Sequence, residues 1–512
     1  MIKLTFITLM LASALAGEPM VVKTTRGPVQ GIEQEGTMAF LGIPYARAER
    51  FMPPKPVKRW KEPLLCDHFG PQAMQNTGRP LPESQMSEEC LVMNVWTTDL
   101  KASKPVMLWL HGGGFDSGSA AGSPGMGLAA KDDVVLVSIN HRLNILGFLD
   151  LSACSPKYKY SGNAGMLDVI AALKWIRDNI SKFGGDPSNV TVFGESGGGG
   201  KVGTLLCMPQ AKKLFHKAII MSGTILNVND KKMTEELGLA VLEELGISPA
   251  EVDRIKDVPY AELYAAGQRA MAASIGTRTP GTPMMWGFGP VPDGKVLLQQ
   301  PFQPGFSDFS SDKPIMIGTT FNELQQLTYS RHYTIEKARE ELEKTFGDRV
   351  EEYIDAFAKA YPDYTPDDLM SIDRLFRPKT LITSDYISTN MKAPVYVYMF
   401  TWRSPLNNAS VHGNELKFCF DILDHAKNEL PEPTDADRRL ADVMGRSWTN
   451  FAKTGNPNLA GLPAWHPYTP QNGEMFIFDH QCSVRNNPDR DLQKIQNECC
   501  FKQLDAFRAQ NR

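Results

Sequence analysis

Short apolar runs recur along the chain, each bounded by polar or glycine-containing segments: Val106-Met107-Leu108-Trp109-Leu110, Val190-Thr191-Val192-Phe193, Ile219-Ile220-Met221, Pro314-Ile315-Met316-Ile317 and Val395-Tyr396-Val397-Tyr398-Met399-Phe400. Runs of this length, rich in branched and aromatic residues and apolar at consecutive positions, fit strands buried on both faces. They predict central strands near 106–110, 134–140, 189–193, 217–222, 313–317, 394–401 and 474–479. Between them the period changes. After Asp168, the positions Ala171, Ala172, Leu173, Trp175 and Ile176 recur at helical spacing, and acidic helical patterns occupy 230–275 and 335–385. Strands alternating with helices predict an α/β chain built on a mixed, mostly parallel sheet, with the two acidic stretches as helical insertions over the C-terminal edge of that sheet. No internal repeat is found.

The second of these runs, Val190–Phe193, matters chemically, because Gly194-Glu195-Ser196-Gly197-Gly198 follows it and a small-residue run ending in Leu205 and Leu206 comes next. Strand, sharp turn and helix with serine at the turn is the nucleophile elbow, whose glycines permit a strained backbone and a close strand–helix approach. Upstream, His111-Gly112-Gly113-Gly114-Phe115 follows the strand 106–110. Acyl transfer builds charge on a carbonyl oxygen, and converging backbone N–H groups require residues without obstructing side chains. Gly113, Gly114 and Gly197 are therefore the expected oxyanion-binding donors.

These two glycine clusters stand among further landmarks: Phe40-Leu41-Gly42-Ile43-Pro44-Tyr45-Ala46, Glu88 to Trp96, Asn140-His141-Arg142-Leu143, Gly162 to Asp168, and Phe183-Gly184-Gly185-Asp186-Pro187. In this order they resemble the type-B carboxylesterase and cholinesterase family of α/β-hydrolases, from about residue 22 to about residue 480. The resemblance implies an α/β-hydrolase fold and serine esterase chemistry without cofactor or metal. It also implies where the remaining catalytic groups lie. Glu323 ends the Gly318-Thr319-Thr320-Phe321-Asn322-Glu323 turn and matches the family's acid; His412, in Val411-His412-Gly413-Asn414-Glu415-Leu416, matches its base. A serine hydroxyl needs such a base and a third group to orient it. With an ordinary imidazole pKa of about 6.5, the rate is expected to rise across roughly pH 6 to 7.5. Glu195 and Ser222 match supporting positions around the histidine, and Arg142 and Asp168 the buried ion pair beside the elbow helix. His111 is expected beneath the oxyanion loop. Met284, Trp286 and Phe288 fall where the family lines its acyl pocket.

Composition narrows the rest. The chain has 512 residues, 42% hydrophobic, and a net charge of −4, which gives no electrostatic reason to expect nucleic acid or an anionic membrane as partner. Lys3, the apolar stretch Leu4 to Leu15 and Ala14-Leu15-Ala16 read as a cleavable export signal over 1–16, leaving 17–512 as a single domain, secreted or periplasmic, acting on a small-molecule ester. Export makes the eight cysteines interpretable. Cys66 and Cys90 resemble the family's loop-closing disulfide, and Cys482 with Cys499 or Cys500 is a possible second bridge; Cys154, Cys207 and Cys419 are expected as buried thiols.

Between Cys66 and Cys90 there is no tryptophan or tyrosine, only Phe69, so a cation-binding aromatic face of the cholinesterase kind is not expected. Neutral esters of short to medium acids are the expected substrates. A non-catalytic adhesion ectodomain of the same fold is the alternative outside enzymology, and a specialised cholinesterase or lipase the alternative within it. Gly197, where alanine is common in the family, is expected to loosen the turn.

Overall fold

The computed structural model describes residues 20–76, 85–122, 125–275, 287–301, 310–324 and 332–500. The expected export signal and two of the expected acyl-pocket residues, Met284 and Trp286, lie outside the described residues.

Among the described residues, fourteen strands form two sheets. The small one joins β1 (Val21–Lys23), β2 (Pro28–Gln30) and β5 (Leu64–Leu65). The large one contains β3 (Ile32–Gln34), β4 (Thr37–Pro44), β6 (Val92–Thr97), β7 (Lys104–Leu110), β8 (Val135–Ile139), β9 (Gly185–Glu195) and β10 (Lys217–Met221). It is completed by β11 (Ile315–Thr320), β12 (Val395–Phe400), β13 (Glu474–Phe478) and β14 (Ser483–Asn486). Its order is β14-β13-β12-β11-β10-β9-β7-β8-β6-β4-β3. From β8 to β13 every neighbouring pair is parallel, and the antiparallel pairs are confined to the two edges.

Successive side chains of a strand point to opposite faces, and here both faces are covered, which is why the strands read as unbroken apolar runs. On β12, Val395, Val397 and Met399 enter one core while Tyr396, Tyr398 and Phe400 enter the other. Helix Ala164–Asn179 closes the first core with Met166, Val169, Leu173 and Ile176. Helix Asp435–Thr454 closes the second with Leu440, Met444, Trp448 and Phe451, and begins at a reciprocal cap between Thr434 and Asp437. The expected insertions are helical: Lys231–Glu244 and Tyr260–Ile275 between β10 and β11, then Ile335–Phe346, Val350–Ala360 and Arg377–Asn390 between β11 and β12.

Parallel strands share one carboxyl edge, and loops leaving that edge converge. Ser196 follows β9, Ser222 follows β10, Glu323 lies just beyond β11, His412 beyond β12, and the glycine loop His111–Gly114 directly follows β7.

Candidate active site

Ser196 stands at φ 56°, ψ −123°, between β9 and the helix Gly197–Leu205. Such a conformation is strained for a residue with a β-carbon, and it is held by the Ser196 N–H donating to the Met221 carbonyl at 2.9 Å on the neighbouring strand. Opposite, Gly113 and Gly114 adopt φ of 81° and 62°, the left-handed region that favours glycine. A β-carbon on Gly197 would lie 2.4 Å from the Gly114 nitrogen and 2.1 Å from its carbonyl oxygen, so two of the three expected donor residues lie against each other. The glycine loop occupies the space a side chain at Gly197 would need.

The acid and the base are brought together. His412 Nδ1 is hydrogen-bonded to Glu323 Oε2, and the His412 N–H donates to the Glu323 carbonyl at 3.1 Å. Glu323 is fully buried, and its other oxygen accepts from the Thr320 N–H at 2.8 Å, which fixes the carboxylate edge presented to the ring. Phe376 stacks on the imidazole, centroids 5.1 Å apart and planes 11° from parallel. Ser196 Oγ makes no hydrogen bond to the ring among the described residues. The Nε2 atom instead lies 3.0 Å from Glu195 Oε1, off the line of a hydrogen bond.

Glu195 is thus a buried neighbour of the imidazole rather than a solvent-facing carboxylate. Ser222 reaches the ring only indirectly, its hydroxyl donating to Glu415 Oε1 at 3.4 Å. Burial pushes Glu195 up to about 7 against the pull of His412, and Glu415, buried beside Glu195 and Glu323, up to about 8. Burial alone would depress His412, yet the carboxylates Glu323, Glu195 and Glu415 together outweigh it and push the imidazole up to about 10. Asp373, buried near Glu323, is pushed up to about 7 although it accepts the N–H groups of Leu375 and Phe376.

The scaffold matches expectation. Arg142 donates to Asp168 through Nε at 2.8 Å and Nη2 at 2.7 Å, a buried bidentate pair. His111 stacks on His141 with centroids 5.1 Å apart, and burial holds both imidazoles well below their usual range. Phe288 is buried in the main core near Ile145 and Gly267.

The expected Cys66–Cys90 disulfide is not formed. Both cysteines are buried free thiols, as are Cys207 and Cys419, while Cys154, Cys482 and Cys499 are free and half-buried. The Cys66 N–H donates to the Gln30 carbonyl and the Cys66 carbonyl accepts from Leu41, whereas Cys90 lies beside the Arg142–Asp168 pair. Burial pushes both thiols up to about 12, where they stay protonated.

Three participants escape a reading of the sequence. Glu415 lies inside the motif that locates His412, and only burial reveals its proximity to the ring. Asp373 has no sequence signal. Lys201 does have one: it is the single charge in the otherwise small and apolar helix Gly197–Leu205.

A strained serine after a central strand, a histidine held by a buried glutamate and a glycine loop facing them define a serine hydrolase of the α/β-hydrolase class. A family model described as the carboxylesterase family matches residues 18–495, and the chain belongs to that family. It is 35% identical to the para-nitrobenzyl esterase of Bacillus subtilis, over 92% of this chain and 96% of that one, and 31% identical to carboxylesterase 1C of Rattus norvegicus, over 90% of each. Among solved structures, an esterase from Clostridium hathewayi that can hydrolyse aliphatic aromatic polyesters superposes with a TM-score of 0.83 at 35% identity, covering 94% of this chain and 98% of that one. The protein is a carboxylesterase: it hydrolyses carboxylic esters by a serine hydrolase mechanism.

Proposed function

We propose that Ser196, His412 and Glu323 are the catalytic residues of this carboxylesterase and that Gly113, Gly114 and Gly197 bind the oxyanion. The observation that carries the assignment is the convergence of these groups at the carboxyl edge of one sheet, with His412 hydrogen-bonded to Glu323 and Gly114 lying against Gly197. Ser196 Oγ attacks the ester carbonyl while its proton passes to His412 Nε2; the carbonyl oxygen becomes an oxyanion facing the three N–H groups. Collapse of this intermediate breaks the bond to the alcohol oxygen, which leaves with the proton from His412. Water then attacks the acyl-enzyme, giving its proton to His412; collapse of the second intermediate breaks the bond to Ser196 Oγ, which takes that proton from His412, and the acid is released. Glu323 keeps the proton of the neutral imidazole on Nδ1 and stabilises the cation.

The substrates proposed are neutral esters of short to medium acids, with Phe288, Met284 and Trp286 limiting the acyl group, so that Trp286→Ala widens acceptance to longer chains. Export rests on the leader-like residues 1–16 alone, and N-terminal sequencing of the mature protein should begin at Gly17. The decisive experiment is Ser196→Ala against a panel of esters. Activity is expected to fall to a residual roughly 10³ to 10⁴-fold above the uncatalysed rate, with an unchanged melting temperature. More than a few per cent of wild-type turnover would refute the nucleophile.

A further inference from the structure

A lysine in the interior of a buried helix is expensive unless its ammonium finds acceptors. Lys201 is the fifth residue of the helix Gly197–Leu205 and is fully buried. Its Nζ donates to two backbone carbonyls, His111 at 2.9 Å and Gly114 at 2.9 Å. Those are the two ends of the glycine loop. The ammonium also lies 5.5 Å from the centre of the Phe115 ring, and the titratable groups around it are Glu195, His111 and His141.

The peptide unit is planar, with C=O and N–H pointing in opposite directions, so anchoring a carbonyl aims the N–H of the following residue. Within the loop, the Gly112 carbonyl is 2.9 Å from His111 Nδ1 and the Gly113 carbonyl accepts from the Ser117 N–H at 3.0 Å. These anchors aim the N–H groups of Gly113 and Gly114. They stand on two glycines with positive φ, whose peptide planes rotate readily if the loop is held only from within. Lys201 holds the carbonyls on either side of them, from a helix that also begins with the third donor, Gly197. One side chain thereby fixes the loop donors relative to the helix donor.

We propose that Lys201 is a positioning residue for acyl transfer, an ammonium strut that sets the oxyanion loop against the elbow helix. This inference rests on the assignment of Gly113, Gly114 and Gly197 as oxyanion donors. Lys201→Met keeps the length of the side chain and removes its donors. It is expected to lower kcat by about ten-fold or more, less than the effect of deleting a donor outright, with KM changed by less than about three-fold.

The readout that separates positioning from general damage is a matched pair of substrates, a p-nitrophenyl ester and its thionoester, since a hole built for oxygen discriminates against the larger sulfur. Wild type is expected to favour the oxygen ester, and Lys201→Met to shrink that preference by about three-fold or more. Should Lys201→Met fail to fold, Lys201→Gln carries the same measurement. A folded variant with wild-type kcat and an undiminished oxygen preference overturns the role of Lys201 while leaving the oxyanion assignment standing. A wild-type enzyme with no oxygen preference overturns that assignment and this inference with it.

Discussion

His412 is surrounded by more negative charge than a general base requires. Glu323 holds Nδ1, Glu195 lies 3.0 Å from Nε2, and Glu415 is buried behind both. A histidine accepts a proton only in its neutral form, which exists above its pKa. Raising that pKa to about 10 therefore moves the rise in kcat/KM upward from the window an ordinary imidazole would give. Glu195→Gln removes one of the charges holding the proton. An opposite charge this close shifts a pKa by about 1 to 3, so the midpoint of the pH–kcat/KM profile is expected to fall by about one pH unit or more; an unchanged midpoint would mean that Glu195 does not act on the base. Gly197 offers a second test at this scale. Because its β-carbon would lie 2.1 Å from the Gly114 oxygen, Gly197→Ala must displace the oxyanion loop. The expected result is a loss in kcat of about 10-fold or more, one donor of the hole being worth 10²–10³. Wild-type turnover in Gly197→Ala would show that the loop yields freely.

The helices between the strands do more than cover the sheet. Arg377 opens the helix Arg377–Asn390, and Asp489 directly precedes the helix Arg490–Cys500; their side chains meet at 3.0 and 3.1 Å, both at most 2% exposed. Tyr361 donates a third bond to the same carboxylate at 3.1 Å. The pair anchors the helix start next to Phe376, which stacks on His412, so an element far along the chain steadies the base. Removing one partner of a buried pair costs about 3–5 kcal/mol, because the other charge stays buried, while replacing both by apolar residues is often neutral. Arg377→Met is expected to lower the melting temperature clearly, and Arg377→Met with Asp489→Leu to recover much of the loss, as calorimetry would show. All seven strands expected from the sequence are present, because strands buried on both faces leave continuous apolar runs. The edge strands β3 and β14 were not legible: three or four residues long and partly exposed, they carry no such run. The same limit hid Arg377 and Asp489, whose separation of 112 residues only the tertiary fold closes.

At the scale of the whole molecule, the order of motifs along the chain fixed which loops meet at the carboxyl edge, and so the placing of Ser196, Glu323 and His412 at that edge was legible. What surrounds them was not. Lys201, Glu415 and Asp373 matter because they are buried together, and burial of a charge is a property of the assembled fold. The disulfide expectation rested on the likeness of two cysteine positions to a family pattern, and both cysteines are free thiols here. Substrate charge is decided at this scale too. The one aromatic residue between Cys66 and Cys90, Phe69, is half-buried and packs against the second core, its ring centre 6.3 Å from that of the buried Trp96. The carboxylates near the nucleophile do not replace it as a cation site: Glu323 and Glu195 face His412, and burial pushes Glu195 and Glu415 toward their neutral forms. A quaternary ammonium gains about 0.5–2 kcal/mol over an aromatic face, and among the described residues Phe69 is not placed to supply it. Butyrylcholine is therefore expected to show a kcat/KM no higher than a neutral butyrate ester with an alcohol of equal leaving ability. A clear preference for the choline ester would place an unrecognised cation site beside Ser196 and overturn the neutral-ester reading without touching the catalytic residues.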